Sequence, residues 1–159
     1  MKYYFTSSSR LTKALSQGAG IFQYQSHFSP NSRWISFEAV GNLPTNAESA
    51  LYVVPAAGGA WTRITEGKDW DDKPRWSPDG KTIYFVSGRG GVFNVWGIHV
   101  DPDGGKPVGE PFRVSAFEGH GPMTPRWIPL VELSLSEDRL LLNMAEVSGG
   151  IWVLDNVDR

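Results

Sequence analysis

The feature that most constrains this chain is internal repetition. The stretch Pro74-Arg75-Trp76-Ser77-Pro78-Asp79-Gly80-Lys81 runs into Thr82-Ile83-Tyr84-Phe85. An earlier stretch, His27-Phe28-Ser29-Pro30-Asn31-Ser32-Arg33, runs into Trp34-Ile35-Ser36-Phe37 in the same pattern, and Ser29 and Ser77 lie 48 residues apart. A third stretch, Pro125-Arg126-Trp127-Ile128-Pro129, places Trp127 51 residues after Trp76. A second marker recurs out of phase with the first: Arg10-Leu11-Thr12, Arg63-Ile64-Thr65 and Arg113-Val114-Ser115, spaced by 53 and 50 residues. Two independent markers sharing one period exclude most single-core folds, because each period must be one structural unit stacked on the next.

Periods of about 40–50 residues with short strands are the signature of propeller blades. Composition agrees. The 159 residues hold 18 Gly and 11 Pro, well above ordinary usage, and 13% are aromatic, with seven Trp. Many turns and many bulky rings suit short strands around an aromatic core. In the second unit, strands are expected at 73–77, 82–87, 92–100 and 112–115, with Pro78-Asp79-Gly80 as a tight turn. The first unit repeats the plan at 25–29, 34–38, 50–55 and 61–65, with its longest insertion at 41–49. The third is less regular: 126–128, then 131–136, 140–146 and 150–155, with Ser136-Glu137-Asp138-Arg139 as a degraded turn. Residues 9–17 are expected as strand then loop. The expected fold is all-β, a β-propeller of about three four-stranded antiparallel blades. Residues 1–12 form the tail of one blade, 25–65 and 73–115 are whole blades, and 124–155 is an incomplete one.

The run Trp76-Ser77-Pro78-Asp79-Gly80-Lys81 followed by Ile83-Tyr84-Phe85 resembles the TolB-type β-propeller repeat, a distant relative of WD-repeat blades. The resemblance spans about Gln25 to Asp155. The first unit departs by Asn31-Ser32 in place of Asp-Gly, and the third departs further. The stretch 70–109 and the ending Ile151-Trp152-Val153-Leu154-Asp155-Asn156 look like the C-terminal half of propellers that follow kinase or winged-helix domains in larger bacterial proteins. The resemblance implies half of a six-bladed ring, completed by a second copy or by a missing half on another chain.

Several chemistries find little support. Fifteen Lys and Arg against seventeen Asp and Glu give a net charge of −2, so a nucleic-acid partner is not expected. No apolar run reaches the roughly 20 residues of a spanning helix, so this chain is not expected to insert in a membrane. The residues 1–10 lack the apolar segment of a signal peptide. Without Cys there is no thiol nucleophile and no disulfide framework. No Gly-x-Ser-x-Gly elbow occurs, and neither His99, mid-strand, nor His120, in Glu118-Gly119-His120-Gly121, has a triad-like relation to a Ser or Asp. Asp101-Pro102-Asp103-Gly104-Gly105 spaces two carboxylates as calcium loops do but lacks a distal Glu, so it is expected as a turn. No metal or cofactor is expected.

The candidate site is positional. His27, Arg75 and Arg126 each precede the aromatic residue of their unit, so blade symmetry places them at equivalent points on the inner strands. They could bind an anionic group or an acidic segment near the channel, with His27 adding pH dependence, or each could pair with a local carboxylate such as Asp72 and only fix blade packing. Asp71 and Asp72, in the acidic run before the second blade, would lie at the channel mouth, where they could hold a cation or a basic partner, or form a solvated loop partly neutralised by Lys73 and Arg75. Phe28, Trp76 and Trp127, and likewise Phe37 and Phe85, are expected as core, whereas Trp61, Trp70 and Phe93 could be exposed. The function expected is a non-enzymatic module that binds a protein or peptide, as part of a sensor, receptor or envelope assembly. The resemblance leans toward the periplasm. The alternative is the gating or substrate-binding propeller of a hydrolase or polysaccharide lyase.

Overall fold

The computed structural model describes residues 20–41, 49–117 and 131–143. Ten strands form three antiparallel sheets. The first is β1 (Ile21–Phe28), β2 (Trp34–Gly41), β3 (Ser49–Pro55) and β4 (Thr62–Arg63), in that order. The second is β5 (Asp71–Trp76), β6 (Thr82–Ser87), β7 (Asn94–Val100) and β8 (Pro107–Arg113). The third holds β9 (Leu133–Leu135) and β10 (Leu140–Leu142). Each strand pairs with its sequence neighbour, so the sheets are up-and-down meanders. No helix occurs among the described residues. This is a propeller-like, all-β fold with two full blades.

The recurrent Ser-Pro stretch is a hydrogen-bonded device. The Ser29 hydroxyl donates to Asn31 Oδ1 at 2.7 Å and accepts the Trp34 amide at 3.0 Å. Forty-eight residues on, Ser77 and Asp79 repeat this at 2.6 Å, with the Thr82 amide at 2.9 Å. Ser32 and Gly80 share the next position and both take a left-handed backbone, with φ of 57° and 70°. Glycine is the residue that adopts this without steric cost. The third unit is less degraded than its letters suggest. The Ser136 hydroxyl donates to Asp138 Oδ1 at 3.2 Å and accepts the Arg139 amide at 3.2 Å, in a shorter turn. This turn links β9 to β10, which makes β9 the counterpart of β1 and β5. The stretch 131–136 therefore carries a first strand, not a second, and Ser136 marks the unit rather than Trp127. Trp127, residues 126–128 and the expected strand 150–155 lie outside the described residues.

The second marker also has a physical cause. Thr65 Oγ1 accepts the Leu51 amide at 3.0 Å, and Ser115 Oγ accepts the Val95 amide at 2.9 Å. In both blades the hydroxyl continues the ladder where the short fourth strand ends. That fourth strand begins earlier than expected in the second blade, at Pro107. Pro and Gly argue against a central strand, but an edge strand tolerates them because its outer N–H groups need no partner.

The core is a series of seams between sheets. Side chains alternate along β6, so Ile83 and Phe85 face the first sheet while Tyr84 and Val86 face the third. Leu51 and Val53 of β3 pack on Trp76, Ile83, Phe85 and Ile98. Val86 and Val95 pack on Val131 and Leu133. Phe37 stacks on Tyr52 and meets Trp61 edge-on at 4.8 Å, so Trp61 is half-buried rather than exposed. Phe93 likewise packs against the second seam. Phe28 keeps the expected equivalence with Trp76 in direction but not in burial. Trp76, paired with Ile83, is buried against the first sheet, whereas Phe28, paired with Ile35, faces the side of the first sheet away from the second and is 57% exposed.

A latch crosses the first seam. Trp34 Nε1 donates to the Pro102 carbonyl at 2.9 Å, and Arg33 pairs with Asp103 at 2.7 Å. Asp101 accepts the amides of Asp103 and Gly104, which makes Asp101–Gly105 the expected turn. Gly105 lies under the Trp34 ring with φ of 64°, and a Cβ there would sit 2.6 Å from a ring carbon. Gly105→Ala therefore faces both backbone strain and a clash, and should destabilise by about 2–3 kcal/mol in urea unfolding monitored by Trp fluorescence.

Candidate functional site

The sequence pattern that sets the turns also aims the site. Each inner strand carries its site residue two positions before the turn serine. Those residues are His27, Arg75 and Ser134, and the following positions are Phe28, Trp76 and Leu135. All six, with Pro30, line one open hollow of about 310 Å³. Two of the three expected equivalents thus meet. The third place is taken by Ser134, while Arg126 lies outside the described residues. The spacing of Ser136 and Asp138 was the signal that could have found Ser134 and Leu135.

Backbone bulges orient these side chains. The pairing of β1 with β2 shifts between Tyr24 and His27, and that of β5 with β6 between Asp72 and Arg75. At equivalent points in the two bulges, Gln25 and Lys73 hold φ of 54° and 57°. Such bulges re-aim the residues that follow. Arg75 is consequently shared by three units. Its Nη1 donates to the Pro74 carbonyl at 3.0 Å and its Nη2 to Gln25 Oε1 at 3.1 Å, and Nη2 lies 3.5 Å from Glu132 Oε2. The Trp76 indole donates to the His27 carbonyl at 3.3 Å. Burial, and then the Arg75 charge, hold the His27 imidazole below its usual pKa, with Glu132 acting in the opposite sense.

Asp71 and Asp72 do not lie on a solvated loop. Both sit inside β5, 0% and 1% exposed, and neither lines the hollow. They can be buried because each has a cationic partner. Asp71 accepts from Arg89 Nη2 at 3.0 and 3.2 Å, and Arg89 is held over the rings of Phe85 and Trp96. Burial still raises the Asp71 pKa, against the hydrogen bonds and charge that lower it. Asp72 pairs with buried Lys73 at 3.1 Å.

Glu38 was not anticipated. Its carboxyl reaches Asp72 from β2 across the first seam, with Ser49 Oγ at 3.1 Å. Ser49 also contacts the Asp71 carbonyl. Burial, followed by the Asp72 carboxylate, pushes the Glu38 pKa up to about 9. At neutral pH Glu38 is a protonated acid that can donate to Asp72.

A raised carboxyl pKa means the folded protein binds a proton that the unfolded chain has released. The Glu38 contribution is full below the unfolded value of 4.5 and is lost as pH rises toward about 9. Glu38→Gln keeps a donor toward Asp72 without the titration. It should flatten the fall in stability between pH 5 and 9 and stabilise the protein at pH 8 by about 1–2 kcal/mol. Urea midpoints across that range check this.

Comparison with known proteins adds to this geometry. No family model matches the chain. An uncharacterized protein of Agrobacterium fabrum, Atu1656, is 41% identical over 51 residues, which cover 32% of this chain and 17% of that protein. A solved structure from Agrobacterium tumefaciens, provisionally named TolB, is similar with a TM-score of 0.51 at 24% identity. That match covers 81% of this chain and 47% of the solved one. The chain thus spans less than half the length of the structure it matches, and the likeness supports a TolB-like fold.

Proposed function

We propose that this chain is a non-enzymatic binding module, half of a six-bladed TolB-like ring, which holds a protein or peptide partner at the inner-strand hollow. The observation that carries this reading is convergence. Three repeat-equivalent polar residues, His27, Arg75 and Ser134, and three repeat-equivalent apolar ones, Phe28, Trp76 and Leu135, line one hollow. A concave apolar floor with a few converging polar groups is the usual form of a binding site. Two four-stranded blades and the start of a third support the half ring. The remaining blades come from a second copy or from a further length of chain. Likeness to a TolB-named structure favours an extracytoplasmic setting and work within an envelope or sensor assembly.

Phe28 offers the test in the single chain, where it lines the hollow and is exposed. A library of randomised twelve-residue peptides selected on the chain should yield binders that Phe28→Ser weakens by about tenfold or more. The melting temperature of that variant should stay within about 2 °C of the parent, as expected of a surface change. Binders indifferent to Phe28→Ser would place recognition elsewhere. Light scattering separates the two sources of the missing blades, since twice the chain mass of 17.6 kDa marks a second copy.

A further inference from the structure

Beside the hollow, Arg75 already faces a carboxylate of this chain. Arg75 is the cation there, part-buried with its side chain 13% exposed. Its bonds to Pro74 and Gln25 fix the guanidinium in place. The carboxylate beside it, Glu132, has a side chain 66% exposed and stands 3.5 Å away. A firm pair of this type closes to about 2.7–2.9 Å. The Glu132 backbone is pinned, since its amide donates to Asn143 Oδ1 at 2.6 Å, so only the side chain has room to withdraw. Glu132 is a loosely held internal carboxylate on a well-held cation.

We propose that the hollow takes a ligand carboxylate flanked by a bulky apolar side chain, and that this carboxylate replaces Glu132 at Arg75. The inference rests on the reading of the hollow as a binding site. The ligand class is an acidic residue next to Leu, Phe or Trp in an extended peptide. Its apolar neighbour would lie on Phe28, Pro30, Trp76 and Leu135. An amide in place of the carboxylate would leave the Arg75 charge without a counterion once Glu132 is displaced, which is costly in a part-buried site.

His27 gives the exchange a pH dependence. The charged groups that act on it are Arg75 of β5 and Glu132, just before β9, while β2 offers only the Ser36 hydroxyl, at its carbonyl. A ligand carboxylate seated in the hollow stands close to both His27 and Arg75. It stabilises the imidazolium, so binding takes up a proton and tightens as pH falls.

The experiment is calorimetry on the full chain with two capped peptides, acetyl-Ala-Leu-Glu-Phe-Ala-amide and its Gln analogue, at pH 7.5 and 6.0. The Glu peptide should bind about tenfold more tightly than the Gln peptide. Glu132→Gln should tighten the Glu peptide by about threefold or more, because the internal competitor is gone. The parent should gain about threefold at pH 6.0, and His27→Gln should remove that gain. Equal binding of both peptides, or no effect of Glu132→Gln, overturns the carboxylate exchange while leaving the hollow as a binding site. No binding of either peptide to the parent or to Glu132→Gln also overturns it, and the Phe28-sensitive library binders then decide whether the hollow binds at all.

Discussion

A four-stranded meander cannot bury both of its faces by itself, and everything else in this molecule follows from that. The first seam sets Leu51 and Val53 of one blade against Trp76, Ile83, Phe85 and Ile98 of the next. At about 25 cal/mol per Å² of apolar surface, several large side chains in one seam outweigh any single hydrogen bond between the blades. The seam therefore fixes where the inner strands stand relative to each other. Because they stand side by side, His27, Arg75 and Ser134 face a common space. The site is a by-product of how blades stack, sharpened by bulges that turn two of its residues.

The same seam hosts charge at a cost. Asp71, Asp72, Lys73 and Glu38 are all buried near the joint of the two blades. Each is satisfied locally, Asp71 by Arg89, Asp72 by Lys73, and Glu38 by keeping its proton. Polar groups of this kind add little net stability compared with apolar replacements. Of these contacts, Glu38 with Asp72 crosses from one blade to the other, so a displacement along the seam would leave each of the two buried without the other. The apolar part of the seam supplies adhesion, and the Glu38–Asp72 contact favours one register.

Much of this was legible in the sequence, for reasons that can be named. Strand β6, Thr82–Ser87, lies where its β-branched and aromatic run predicts. The turns were legible because Ser, Pro, Asp and Gly each perform a visible job there. The acidic run was misread because carboxylates usually seek water, and the partner that buries Asp71 lies 18 residues on, in Arg89. Phe28 was misread because repeat position specifies a direction, not a neighbour, and Trp76 has a blade on that side. In the third unit Arg126-Trp127 resembled Arg75-Trp76 by letters, yet the hydroxyl–carboxylate spacing of Ser136 and Asp138 was the better guide to the register. The pairing of His27 with Arg75 was visible from symmetry alone; Glu132 and Glu38 were not, since nothing local marks a contact made across a seam.

The latch between Trp34 and the Pro102 carbonyl has a kinetic meaning. Its partners are 68 residues apart, whereas every ladder within a blade joins strands that follow one another. Local hairpins close quickly, and a long loop pays its closure entropy only when distant surfaces reward it. The indole docks on the turn that opens the second blade's last hairpin, so the latch closes only once both blades are in place. Interactions made that late govern how slowly a native chain comes apart rather than how fast it assembles. The ring over Gly105 thus acts as a clasp on lifetime, holding the two blades together against the forces that open them first.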